Sequence, residues 1–154
     1  MGIQLAREAV SEVWDEAIPL VSANHAESGS LPSSDFGPQK ATYEALEKAG
    51  ILKVFTARDA AVLVGYAVFI VSPTHLHYPK TSWAIQDVMY VDPKARGTMP
   101  LRFMLYQDIC LRSDKVDLVY RHNTLHKSYS RLLLHLGYRA EEVRYFKDLR
   151  EEVA

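Results

Sequence analysis

The chain has 154 residues, enough for one domain with a real core, and its 48% hydrophobic and 24% charged residues are ordinary for a soluble globular protein. A net charge of −1 argues against bulk electrostatic binding to nucleic acid, and no apolar run approaches the length of a membrane span. The single cysteine, Cys110, excludes an intramolecular disulfide and fits a reducing compartment, so the cytoplasm is the expected location.

Residues 4–18 place Leu5, Ala9, Val10, Val13, Trp14, Ala17 and Ile18 at helical spacing, one apolar face that Pro19 ends or kinks. Residues 22–38 are rich in Ser, Gly, Pro and Asp, which predicts a long loop, the kind that serves as a mobile lid. A second helix follows over 39–49, with Gly50 as its left-handed cap. Residues 51–58 and 61–71 read as an antiparallel hairpin. The second arm is apolar on both faces, which predicts a central strand covered by helices above and below, and Gly65 in it marks a bulge or a close backbone approach. The connection over 72–82 holds His75 and His77, but no Cys or carboxylate is spaced to complete a metal shell, so no metal is expected.

The chain is organised around residues 84–103. Ile85, Asp87, Met89 and Val91 alternate with Gln86, Val88 and Tyr90 as a strand, and strict alternation puts Asp87 on the face of Met89 and Val91. Asp92-Pro93 stops the strand, and a basic turn through Lys94, Arg96 and Gly97 opens a long apolar helix over 98–112, where Cys110 reads as packing. A strand, a basic glycine turn and a helix N-terminus make an anion site, because free N–H groups and the helix dipole both favour phosphate oxygens. A strand over 116–120 follows. A helix capped by Asn123 or Thr124 then carries an inward stripe of Leu125, Tyr129, Leu132, Leu133 and Leu136, and 138–149 forms a closing strand or strand pair. Strands interleaved with helices predict a mixed α/β sheet containing one right-handed βαβ unit. Charge divides along the chain. Residues 94–131 carry eight basic against three acidic groups, and residues 1–60 carry five against nine, which suits a polyphosphate at one end and a cation at the other.

The corner Asp92-Pro93 followed by Arg96 and Gly97, together with Leu136-Gly137-Tyr138 near the end, resembles the motifs of the GNAT N-acetyltransferase superfamily over roughly residues 51–149. Within it, the chain resembles the short single-domain members carried by bacteriophages. Met99 and Leu101 stand where the family's loop has a second glycine and a Gly or Ala, and Pro100 removes one N–H. The resemblance implies a single domain over 1–154, with a GNAT-like mixed sheet of six to seven strands and helices on both faces. It implies acetyl-CoA as cofactor, its diphosphate held around Arg96, Gly97, Thr98 and Met99, with Lys94 and Arg102 as further phosphate contacts. Met89, Tyr90 and Val91 fall where the family holds the pantetheine arm and the thioester oxygen, and His126 where members often carry a coenzyme-facing Asn.

Asp87 occupies the place of a carboxylate base, often acting through water; the other reading is a strand carboxylate paired with an arginine or a backbone N–H. An acid held among apolar neighbours is made a better base by desolvation. Leu133 stands where the family has an acid tyrosine; Tyr129, one turn earlier, is either that acid or core, and His77 either an acceptor-side contact or a surface residue. The implied function is transfer of an acetyl group to an amine, on a small molecule or a protein, by direct attack in a ternary complex. The alternative is a catalytically silent GNAT-fold protein that binds and modulates a protein, a host protein if the phage likeness holds. A homodimer is compatible with this reading; neither a membrane nor a nucleic acid is an expected partner.

Overall fold

The computed structural model describes residues 2–29, 35–123 and 128–150. Its centre is the predicted hairpin. Strand β2 (Leu52–Asp59) and strand β3 (Val62–Ser72) pair antiparallel, turning through Ala60 and Ala61, both at positive φ. β3 is flanked on its other side by β4 (Trp83–Val91), and its residues 65–69 are almost all buried, so it is the central strand the apolar pattern predicts. The sheet has five strands in the order β1-β2-β3-β4-β5, with β5 (Leu118–Tyr120) parallel to β4 through the crossover helix α3 (Met99–Ser113).

Helices cover both faces. Phe103 and Leu111 of α3, with Met99, pack on Phe55, Phe69 and Val91 on one side. On the other, Val10, Val13, Trp14 and Ala17 of α1 (Val10–Ser28) and Tyr43 and Leu46 of α2 (Lys40–Lys48) pack on Val54, Tyr66, Val68 and Tyr90. Burial of these two layers holds the fold, at about 25 cal/mol per Å² of apolar surface removed from water. Among the described residues, no helix is long and apolar enough to cross a membrane.

Several sequence-based expectations are corrected. Residues 4–7 are an edge strand, β1 (Gln4–Arg7), antiparallel to β2, and the helix starts only at Val10. Ala9 offers no capping side chain; Glu12 takes the Ala9 N–H at 3.0 Å, and Glu47 of α2 takes the Val10 N–H at 3.0 Å. Pro19 does not end α1, which continues to Ser28, so residues 22–28 of the expected loop are helix. A mid-helix proline costs about 3 kcal/mol, and the packing of residues on either side of it (Trp14, Ala17, Leu20 and Val21) outweighs that. The rest of the expected lid over 30–34 lies outside the described residues.

The last helix, α4 (Ser130–His135), starts later than expected, behind a turn in which Asn123 Oδ1 accepts the Tyr129 N–H at 2.7 Å. Gly137, at φ 88°, closes it, with the Tyr138 N–H on Leu133 O. The expected closing strands over 138–149 do not form among the described residues, so the sheet has five strands rather than six or seven. A strand there needs a buried face, yet Tyr145 is 90% and Leu149 84% exposed.

Candidate active site

The site is set by a defect in β4. Val68 pairs with Val88 and Phe69 with Gln86, leaving Asp87 without a partner on β3, the geometry of a β-bulge. The extra residue resets the alternation. Ala84 and Gln86 lie on the α3 side with Met89 and Val91, whereas Asp87 joins Val88 and Tyr90 on the α1 side. The expectation that Asp87 shares a face with Met89 and Val91 is therefore corrected, and so is its burial: Asp87 is exposed at the rim of a cavity.

That cavity, about 480 Å³, lies between α1 and the sheet. Trp14, Phe36, Tyr43 and Tyr66 supply its aromatic wall, and Val13, Ala17 and Val68 much of its floor. Trp14 and Tyr43 meet edge to face with ring centroids 5.4 Å apart, and His25 stacks on Phe36 at 4.2 Å. Burial, reinforced by the nearby Asp87 carboxylate, pushes the Tyr43 hydroxyl up; burial does the same to Tyr66, so both remain neutral hydroxyls. Among the described residues, Asp87 has neither a hydrogen-bond partner nor an ion pair.

β4 is also open on its outer edge. β5 pairs only with residues 83–85 of β4, so the two strands part beyond Ile85 and Tyr120. Strand residues turn their backbone groups to alternate edges. Because the Asp92 N–H donates to Val64 O on β3 at 2.8 Å, the N–H and C=O of Val91 and Met89 face the open edge. Val91 O is met there by Arg96 Nε at 2.9 Å.

Arg121, whose side chain is 1% exposed, braces the fork from the α3 side. Its guanidinium donates to Gln86 Oε1 and Gln107 Oε1, each at 2.8 Å, to Asp108 at 2.6 Å and to the Tyr138 hydroxyl at 2.8 Å. Burial pushes that hydroxyl up to about 12, and it in turn donates to Asp108 at 2.7 Å.

At the exit of β4, a single 3-10 turn (Pro93–Ala95) leads into the basic loop. The N–H groups of Gly97, Thr98, Met99 and Leu101 find no backbone acceptor among the described residues, as at any helix start, and Pro100 has none to offer. Of Met99, Pro100 and Leu101, which depart from the motif the loop resembles, Met99 and Pro100 are buried in the core and Leu101 is half-buried. The Met99 methyl reaches to 3.1 Å from where a side chain on Gly65 would begin, so Gly65 marks the close approach predicted for it. Neither residue fills the loop, and space around Gly97 is open. Arg102 is exposed and has no side-chain partner among the described residues. Arg96 is already engaged: its Nη2 donates to both oxygens of Glu27 at 2.9 and 2.8 Å, and its guanidinium lies 5.5 Å from the Tyr90 ring centroid.

Tyr129 is half-buried and close enough to act on the charge of Arg96, which brings α4 to the same loop. His77 is not brought in. It sits in the exposed β3–β4 connection, its N–H on His75 Nδ1 at 3.1 Å, and does not line the cavity. His126 lies outside the described residues. Sequence reasoning missed His122, an exposed residue just past β5 whose imidazole feels the Asp87 carboxylate; partial burial and the Arg144 guanidinium hold it below the usual histidine value, while Asp87 pulls the other way. It also missed Glu27, hidden by the wrong end assigned to α1. For His122 the sequence offered no spacing signal, since only the pairing of β5 with β4 brings its charge near that of Asp87.

No protein-family model matches the sequence, and a search of curated proteins gives no match. Solved structures do share its architecture over nearly the whole chain. An aminoglycoside acetyltransferase from an uncultured soil metagenomic sample, in complex with sisomicin, superposes with a TM-score of 0.74 at 14% identity, covering 96% of each chain. The ribosomal-protein-alanine N-acetyltransferase of Brucella melitensis biovar Abortus 2308 gives 0.70 at 15% identity, covering 96% of this chain and 98% of its own. A predicted acetyltransferase from Clostridium acetobutylicum, solved with acetyl-CoA, gives 0.74 at 12% identity, covering 98% and 99%. At these identities the likeness establishes the fold: this chain has the GNAT acetyltransferase fold.

Proposed function

We propose that the protein transfers the acetyl group of acetyl-CoA to the nitrogen of an amine, by direct attack with both substrates bound. The observation that carries this reading is the convergence at the middle of β4, where an open strand edge on one side meets an unpaired carboxylate and a cavity on the other. The residues present fit the coenzyme. Gly97, Thr98, Met99 and Leu101 offer N–H groups to a diphosphate, with Arg96, Lys94 and Arg102 as the charges around them, and Met89 and Val91 offer outward backbone groups to an extended amide-bearing arm.

Acetyl-CoA supplies an activated acyl group: the amine nitrogen forms the new C–N bond, the C–S bond breaks, and the coenzyme leaves as a thiol. The protein has two tasks beyond binding. A lysine-like amine with a pKa of about 10.4 is neutral in roughly one molecule in a few thousand at pH 7, so its proton must be taken. Asp87, exposed and unpaired at the cavity rim, accepts it directly or through a water and passes it to solvent or to the nearby neutral His122. Charge developing on the acyl oxygen needs preorganised donors, which the outward N–H groups of β4 provide. Tyr129, whose charge acts on Arg96, is the hydroxyl proposed to return a proton to the sulfur.

The test incubates the protein with acetyl-CoA and a panel of amines, following free thiol by absorbance and the acetylated amine by mass. Amine-dependent thiol release that disappears in Asp87→Asn supports the reading. Acetyl-CoA binding with no acetylated product from any amine would overturn it and leave a coenzyme-binding protein without turnover.

A further inference from the structure

The cavity beside Asp87 also carries information about what enters it. We infer that the acceptor is an amine on an apolar, aromatic-sized body, an arylalkylamine in chemical class, rather than a polar polyamine or a polyhydroxylated amine. The inference rests on the acetyl-transfer reading for the nature of the nucleophile; the shape and chemistry of the body come from the cavity alone.

Its volume, about 480 Å³, falls within the range of small-molecule sites, roughly 300–1,000 Å³. Its walls are mostly apolar. Trp14, Phe36, Tyr43 and Tyr66 present ring faces and edges over an aliphatic floor, and of the polar lining Ser28 is bonded to Asn24 and Asp35 to Arg150, which leaves few partners for several hydroxyl or amino groups. A polar body placed there leaves each such group unpaired, at about 1–3 kcal/mol apiece, whereas an aromatic body of the same size loses nothing.

Charge selects the head group. Among the described residues, no Lys or Arg lines the cavity, and the carboxylates that do are Asp35 and Asp87. Asp35 is already paired with Arg150 at 2.8 Å. Asp87 is unpaired, and the hydroxyls of Tyr43 and Tyr66 lie close enough to feel its charge. An ammonium at Asp87 therefore meets a carboxylate and the neighbouring hydroxyl oxygens of Tyr43 and Tyr66, a setting that favours a cation over a neutral isostere. Asp87 also stands on β4 at the bulge, just past the last residue that β5 pairs, so a body buried between α1 and the sheet with its nitrogen at Asp87 holds that nitrogen beside the strand whose outer edge is open.

The experiment is a calorimetric titration of 2-phenylethylamine, 2-phenylethanol and spermidine into the protein without coenzyme. The inference predicts that 2-phenylethylamine binds about five- to tenfold more tightly than the alcohol, and that spermidine is the weakest. Asp87→Asn removes the gap between amine and alcohol. Ala17→Phe, which fills the cavity from α1 without removing a buried contact, abolishes binding of both aromatic ligands while circular dichroism and the melting transition report an intact fold. Spermidine binding as tightly as the arylalkylamine, no arylalkylamine binding at millimolar ligand, or binding indifferent to Ala17→Phe each overturns the inference. Thiol release in the presence of acetyl-CoA separates the two readings. Arylalkylamine binding without turnover removes the transferase reading and keeps the ligand class; turnover of spermidine alone does the reverse.

Discussion

Glu27, in the last turns of α1, receives both hydrogen bonds of the Arg96 Nη2 at 2.9 and 2.8 Å, and so joins the helix that walls the cavity to the loop proposed as the diphosphate cradle. Burial works against the charge on Arg96, and the Glu27 carboxylate more than restores it. The two residues are predicted to act oppositely on coenzyme affinity. Arg96→Ala removes a charge and the hydrogen bond to Val91 O, and weakens acetyl-CoA binding about tenfold or more. Glu27→Gln leaves the guanidinium without the anion facing it, and tightens binding severalfold at low salt, a gain that fades as salt rises. Calorimetry of both variants at two ionic strengths checks the pair; equal effects of the same sign would contradict it.

Asp87→Asn keeps the size and exposure of the side chain and removes its capacity to take a proton. The expected result is a fall in kcat of about 10²–10⁴-fold with the acetyl-CoA dissociation constant unchanged. A variant as active as the parent across pH 6–9 would take Asp87 out of the mechanism.

His122 predicts a pH dependence with a defined sign. Its folded-state value lies below the unfolded value of about 6.5, because burial and Arg144 disfavour the imidazolium more than Asp87 favours it. The folded protein thus binds this proton less readily than the unfolded chain. The contribution to stability is intact above the unfolded value and is lost as pH falls through it toward the folded one. Arg144→Gln removes one of the causes and should raise the midpoint of the His122 imidazole in an NMR titration; an unmoved midpoint would show that Arg144 does not act on it.

Gly65→Ala tests the coupling of core and loop. A methyl there meets the Met99 Cε at 3.1 Å and Tyr90 O at 3.2 Å; the methionine can shift, the strand carbonyl cannot. Denaturant unfolding should show a loss of about 1–2 kcal/mol, with weaker acetyl-CoA binding as Met99 is pressed toward the loop.

Tyr138→Phe removes the acceptor of the buried Arg121 Nε and leaves that donor unpaired. The expected cost is about 1–3 kcal/mol in chemical unfolding, with no new exposure of tryptophan in the native state. A neutral substitution would mean that water replaces the hydroxyl.

Much of the fold was legible because its central elements are buried on both sides. The 62–72 strand announces itself by continuous apolar residues, and the 99–113 helix by residues that cover most of its circumference. The edges were not legible. β1 buries too little to break the helical spacing of Leu5 and Ala9, and Pro19 reads as a stop only until the packing on both sides of it is known. At the candidate site, motif and spacing singled out Asp87, Arg96 and Gly97, but the face on which Asp87 stands depends on a one-residue bulge that no alternation pattern reports. Met99 and Pro100 looked like damage to a glycine loop; their side chains are core residues, so the departure costs the loop one N–H and little space.

The central claim is that the loop at Arg96 and the open edge of β4 hold acetyl-CoA beside Asp87. Calorimetric titration of acetyl-CoA into the purified protein, with 3′-dephospho-coenzyme A in parallel, addresses it most directly. The account predicts micromolar binding of acetyl-CoA, weaker binding of the dephosphorylated form, and a loss of affinity in Arg96→Ala. The absence of binding at millimolar acetyl-CoA would contradict it.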